Sequence, residues 1–257
     1  MLISTGEVNM EVKTGYPTEA EAREAIVHVG RRMYDHEYVV TNDGNISVRI
    51  SPDTIVVTPT GISKGFMTPE MMVVMNLDGD ILSQGDRGPS SEVKMHIRVF
   101  EENPSIGAVV HAHPIFATSY SIAGIALDQP ILSEAMLQVG TLPVAHYAKP
   151  GTYDVPDSIA PFVNGYGGVL LSNHGALTWG STLDEAFSRM EVTENYAHVS
   201  FVVRSLGGGR ALSSEQVKGL SDLRKDMGLA DVLMPAGADT ITNDTDVLPK
   251  TTAFQGE

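Results

Sequence analysis

GAVVHAHP at residues 107–114 and GGVLLSNHGALTWG at residues 167–180 decide how this chain reads. In the first, Ala108 to Val110 form an apolar run of strand character, and side chains two apart on a strand project to the same side. His111 and His113 therefore converge on one point. In the second, the run from Gly168 to Leu171 reads as another buried strand that gives way to an Asn-His-Gly turn and delivers His174. Three neutral imidazoles with an open fourth position suit a catalytic zinc, whereas structural zinc sites are closed and usually built with cysteine. The chain has no cysteine. A lone strand-end histidine is more often a hydrogen-bonded rim residue than a ligand, so the weight falls on the His-x-His pair. His28, His36, His96, His146 and His198 have no partner at metal-ligand spacing and read as structural.

A length of 257 residues suits one large α/β domain or two small ones and is enough for a sizeable core, and no Ser/Gly/Pro linker divides the chain. The net charge of -15 argues against a nucleic-acid partner. An acidic protein still holds a small anion where backbone N–H groups and helix N-termini supply a local positive field. The opening MLISTGEVNMEVKTG lacks the cationic start and apolar stretch of a signal peptide. No run approaches the roughly 18 apolar residues of a membrane span. These features, with no disulfide available, lead to the expectation of a cytoplasmic protein with no membrane partner.

Residues 18–38 carry Ala22, Ile26, Val29 and Met33 at helical spacing behind a Thr18/Glu21 capping box. Residues 45–50 and 54–58 read as a hairpin around Ser51-Pro52-Asp53, and residues 73–77 and 81–83 as a second around Asp78-Gly79-Asp80. A helix over 91–102, a strand over 107–112, a helix from Pro114, a strand over 142–147, a helix over 157–163 and a strand over 168–172 follow. A long helix over 182–206, with an inner stripe of Leu183, Ala186, Met190, Thr193, Ala197 and Phe201, stops at Gly207-Gly208-Gly209. After a helix over 214–227 comes a polar stretch without apolar periodicity. The expected organisation is one domain over 1–234, with its core at 17–206, and a flexible tail over 235–257.

Three loops offer small residues with amides or hydroxyls at the ends of regular elements: Asp43-Gly44-Asn45, Thr60-Gly61 and Pro89-Ser90-Ser91-Glu92. Singly, each is an ordinary turn or cap, and Glu92 is an ordinary first-turn acid. Brought together they would hold a phosphate, with Ser90 and Ser91 at a helix N-terminus that favours an anion. A carboxylate beside such a pocket and a metal has the perturbed proton affinity of a general acid/base.

The ordered set TNDGNIS (41–47), TPTG (58–61), PSSE (89–92), HAHP (111–114) and NHG (173–175) resembles the class II aldolase/adducin family, and within it the L-fuculose-1-phosphate aldolase branch. The resemblance implies a single three-layer α/β/α domain around a central, mainly antiparallel sheet, assembled as a homotetramer with active sites at subunit interfaces. It implies Zn2+ on His111, His113 and His174, a ligand set that Mn2+ or Co2+ also suits. Glu92 is then the catalytic carboxylate and a possible fourth ligand without substrate, and Gly44, Asn45, Thr60, Gly61, Ser90 and Ser91 bind phosphate. The implied reaction cleaves a phosphorylated ketose to dihydroxyacetone phosphate and an aldehyde through a metal-stabilised enediolate, with no organic cofactor. Two departures stand out. Segment 131–140, ILSEAMLQVG, lacks the tyrosine that serves the alkoxide oxygen in that branch, and the last tyrosine is Tyr196 rather than one in the tail. Tyr147 matches a common family tyrosine without being assigned that role. Related dehydratases and decarboxylases share the histidines and the glutamate, the 4-epimerases typically carry Asp at the position of Glu92, and the adducin head is a scaffold without the metal site.

Overall fold

Thr18 and Glu21 close a reciprocal capping box, Glu21 N–H donating to Thr18 Oγ1 at 3.2 Å and Thr18 N–H to Glu21 Oε2 at 2.8 Å. It starts α1 (Glu19–Asp35), whose Ala22, Ile26, Val29 and Met33 are buried as their spacing predicts. The computed structural model describes residues 15–238. After α1 come β1 (Asn45–Arg49), β2 (Thr54–Val57), β3 (Val73–Asn76), β4 (Ile81–Ser83), α2 (Val93–Glu102), β5 (Ala108–Ala112), α3 (Ile115–Ala123) and α4 (Ser133–Gln138). Then follow β6 (Val144–Ala145), α5 (Asp154–Ile159), β7 (Gly168–Leu171), β8 (Gly175–Gly180), α6 (Leu183–Ser205) and α7 (Ser214–Asp226). The strands form one eight-stranded sheet in the order β4-β3-β2-β1-β5-β8-β7-β6, antiparallel except between β6 and β7.

Alternation along the strands sorts the core into two layers. Ile46, Val56, Val74, Val110, Leu170 and Ala176 pack toward α1, α3, α4 and α6. Ile55, Val57, Val73, Val109, Val169 and Leu177 pack toward α2 and α5 with Met95, Val99, Phe100 and Ile159. The result is the expected α/β/α domain.

On the α2 side, β1 presents polar residues in place of apolar ones. Asn45 Nδ2 donates to Glu92 Oε2 at 2.8 Å, Ser47 Oγ pairs with His96 Nδ1 at 2.5 Å, and Arg49 Nη2 donates to Phe100 O at 2.7 Å. Two residues of strand advance about 6.7 Å and four of helix about 6 Å, so steps of two on β1 keep pace with steps of four on α2. This ladder fixes the register of α2 and puts Glu92 at its leading end.

Several expectations change. α2 begins at Val93, leaving Ser90 and Ser91 in the turn before it with Glu92 as N-cap. The strand expected over 142–147 shortens to β6, because Leu142 bridges Leu127 instead. The helix expected over 157–163 begins at Asp154, with Pro156 tolerated in its first turn. β8 and α4 are additional. Phe201 is 53% exposed rather than on the inner stripe of α6, which continues through Tyr196, Ala197 and Ser200; the Phe201 ring turns instead to Phe116 of α3 at 5.7 Å. At the start of the expected tail, Ala238 N–H donates to Leu212 O at 3.0 Å. The rest of that tail and residues 1–14 lie outside the described residues. Among the described residues no helix is long and apolar enough to cross a membrane.

Candidate active site

β5 lies between β1 and β8, with Asn45 opposite His111 and Ala112 opposite Ala176. The β7–β8 hairpin closes through Ser172-Asn173-His174, and Asn173 takes a left-handed φ of 57°, which asparagine tolerates better than most residues. At Gly175 a Cβ would lie 2.5 Å from Ala112 O and 2.6 Å from His113 Cδ2. Only glycine lets the incoming strand bring His174 this close. The ring centroids of His111, His113 and His174 stand 4.7, 4.8 and 4.9 Å apart, and one nitrogen from each lies within 4.8 Å of the others.

His111 Nδ1 sits 2.9 Å from Ala176 O. A carbonyl only accepts, so Nδ1 carries the proton and the Nε2 lone pair faces His113 Nε2 at 2.9 Å. Burial pushes the His111 imidazole well below its usual pKa, and burial followed by the neighbouring His174 lowers His113. Neutral imidazole is the form that ligates. Asp43 Oδ2, 3.7 Å from His113 Nδ1, lies on the far side of that ring, where carboxylates commonly orient metal-bound histidines. Three imidazoles brought together beside a carboxylate are a donor set that a divalent cation fits.

The carboxylate is Glu92, with Oε1 3.0 Å from His174 Nε2 and Oε2 3.5 Å from His111 Nε2. Burial by itself would raise its pKa, but His111, His174 and the Asn45 amide together hold it well below the usual carboxylate range. The buried Asn45 Oδ1 has no partner among the described residues.

All six residues expected to bind phosphate, Gly44, Asn45, Thr60, Gly61, Ser90 and Ser91, line one cavity of about 270 Å³ together with Glu92, His113 and His174. Gly44 has φ 72°, and a Cβ there would lie 2.9 Å from His111 O, so the loop needs glycine for both reasons. The Thr60 and Ser90 amides are engaged by Gly88 O and Thr58 O, which leaves the hydroxyls of those residues as donors to a ligand. Ser90 Oγ already accepts from Asn45 Nδ2 at 3.2 Å and from Glu92 N–H at 3.3 Å, so its O–H is free to donate. Sequence reading missed Lys64, which also lines the cavity. Its sole signal is a lysine within the otherwise small and apolar GISKGF. Tyr147 is 61% exposed and does not line the cavity. A larger cleft of about 670 Å³ runs along Tyr16, Val48, Ile106 and Leu183, and none of the three clustered histidines reaches it.

An L-fuculose phosphate aldolase of Methanococcus maripaludis is 32% identical over 183 residues, which covers 70% of this chain and 96% of that protein. A 3-oxo-tetronate 4-phosphate decarboxylase of Haemophilus influenzae is 31% identical over 213 residues, covering 81% of this chain and 100% of that one. The crystal structure of YgbL from Klebsiella pneumoniae superposes with a TM-score of 0.74 at 30% identity, over 79% of this chain and 99% of that chain. Residues 24–201 match the class II aldolase and adducin N-terminal domain, and the chain belongs to that family.

Proposed function

We propose that this chain is a metal-dependent aldehyde-lyase that cleaves a phosphorylated ketose of the L-fuculose-1-phosphate type to dihydroxyacetone phosphate and an aldehyde. The observation that carries this reading is the meeting of three imidazoles and Glu92 beside a cavity rimmed by hydroxyls and glycines. His111, His113 and His174 would hold the cation, with zinc the first choice and manganese or cobalt alternatives. When bound, it supplies Lewis-acid polarisation of the substrate's carbonyl oxygen. Thr60, Ser90 and Ser91 bind the phosphate through their hydroxyls, and Gly44 and Gly61 allow it close to the backbone. Asn45 holds the Glu92 carboxylate through Nδ2, and Glu92 relays a proton from solvent to the enediolate carbon once the carbon–carbon bond has broken, replacing the one that the hydroxyl of the aldehyde half gives up to solvent.

A second reading is favoured by segment 131–140, which lacks a tyrosine. Aldol cleavage turns a hydroxyl of the aldehyde half into a carbonyl, so that proton needs an acceptor. Decarboxylation of a 3-oxo acid phosphate loses CO2, needs no such group, and uses the same Glu92 protonation. The H. influenzae relative carries that activity in its name. A homotetrameric, cytoplasmic enzyme belongs to the same proposal. Exposed Ile115, Ile122, Phe201, Val202 and Leu206 on the packed pair α3 and α6, just beyond His113, support contact between subunits there.

The test incubates metal-loaded protein with L-fuculose-1-phosphate, L-rhamnulose-1-phosphate, D-ribulose-1-phosphate and 5-deoxyribulose-1-phosphate, and detects dihydroxyacetone phosphate with and without a chelator. CO2 release from 3-oxo-tetronate 4-phosphate is measured in parallel. Chelator-sensitive release from a ketose is the expected result. CO2 release with no ketose cleavage replaces the aldolase reading with the decarboxylase one.

A further inference from the structure

Lys64 opens a short 3-10 helix (Lys64–Phe66) and is only 2% exposed. Its Nζ donates to Asn42 O and to Ile62 O, each at 2.9 Å. One ammonium thus ties the loop that leads into Gly44 and Asn45 to the loop that leaves Thr60 and Gly61, the two chain segments on either side of the cavity. An ammonium has three donors and these carbonyls take two. Among the described residues no carboxylate forms an ion pair with it; Asp43 and Glu92 act on it only at longer range. Burial lowers its pKa to about 8, which leaves it mostly protonated at neutral pH.

A buried charge without a counterion is costly. Arg49, at the other end of β1, shows how this fold satisfies a buried cation structurally. Its Nε, Nη1 and Nη2 donate to the carbonyls of Ile106, Pro52 and Phe100, and its guanidinium lies 4.9 Å from the Phe100 ring centroid. Lys64 instead keeps one ammonium N–H beyond its two carbonyls, and it is the sole lysine or arginine among the residues lining the cavity. In a chain of net charge -15, an anionic substrate meets an unfavourable overall field, so a cation beneath its binding groups has a large local effect.

We infer that Lys64 is the charge that draws and holds the anionic group of the substrate, its missing counterion being the ligand itself. This makes it a positioning and specificity residue, and it rests on the reading of the cavity as a phosphate site.

The test uses metal-loaded full-length protein and inorganic phosphate, whose binding by calorimetry does not depend on turnover. Lys64→Met removes charge and hydrogen bonds; Lys64→Gln removes the charge and keeps an amide donor for the carbonyls on a side chain one bond shorter. Both variants are expected to weaken phosphate binding by about tenfold or more, as loss of a charge-assisted contact does. For the phosphorylated substrate, KM rises by a similar factor with kcat nearly unchanged. If folded Lys64→Gln binds phosphate as tightly as the unaltered protein, Lys64 only ties the loops and the inference fails while the phosphate reading stands. If the unaltered protein does not bind phosphate, both fall. Should Lys64→Met not fold, the glutamine variant alone carries the decision.

Discussion

At one end of β1, Asn45 reaches Glu92 through its side-chain amide; at the other, Arg49 reaches the carbonyl of Phe100, two turns further along the same helix. Both ends belong to one polar ladder and differ in what is left over. Around Arg49 three of the five guanidinium N–H groups meet backbone carbonyls, the Phe100 ring lies beside it, and among the described residues no carboxylate pairs with it. Around Asn45, Oδ1 is unpartnered, Glu92 faces two imidazoles, and a cavity opens. Between them stands His96, fully buried like His111 but paired with a serine rather than with other imidazoles. Polar burial in this molecule is structural where a buried group meets backbone carbonyls or a single hydroxyl, and chemical where several titratable groups meet beside a cavity.

Substitutions along the ladder can break that contrast. The largest effect is expected for His174→Ala, which takes one of three clustered nitrogens away at a partly exposed position: bound metal should fall well below one per chain and activity to background, by elemental analysis and assay. Retention of stoichiometric metal would remove His174 from the ligand set. Next, Glu92→Gln keeps the shape of the side chain but not its proton chemistry, so turnover should drop by about 10²–10⁴ while metal content and melting temperature hold. Unchanged turnover would make the Asn45 end as purely structural as the Arg49 end.

The middle rung gives a pH prediction. Burial holds His96 at a pKa of about 3 against its usual 6.5. Between those values the unfolded chain binds a proton that the folded chain does not, so this contribution is fully present above about pH 6.5 and is lost as pH falls toward 3. Its upper size is on the order of 5 kcal/mol. Urea titrations at pH 7 and pH 5 should show the loss, and His96→Gln should show a shallower one; an equal slope in both proteins would put the acid sensitivity elsewhere. The smallest effect is expected at the Arg49 end. Arg49→Met leaves the Ile106 and Phe100 carbonyls unpaired and should cost about 2–3 kcal/mol in urea unfolding, with kcat per folded molecule retained. A fall in kcat without a loss of stability would erase the distinction between the two ends.

Much of this was legible in the chain before folding. The capping box at Thr18 and Glu21, the two hairpins and the strand that carries His111 and leads into His113 all follow from short-range pattern. β8 was not, because all six of its residues are buried and GALTWG shows no alternation of polar and apolar positions. α4 is six residues long with no side-chain cap at Leu132, which leaves little local signal. Lys64 escaped because its importance lies in Asn42 O, a carbonyl 22 positions away.

Sequence alone determined the chemistry available to this protein: which imidazoles, which carboxylate, which hydroxyls and glycines. It also determined that His111, on β5, and His113, just past its end, project to the same side, since that depends only on the two-residue period of an extended chain. Tertiary structure decided the assembly. Pairing of β5 with β8 brings His174 to the other two histidines, and the ladder between β1 and α2 sets Glu92 against them. The loops around Gly44 and Gly61 meet over a buried ammonium. Each of these contacts joins residues far apart in the chain, where local propensity has no reach and only packing and hydrogen-bond satisfaction select the partner.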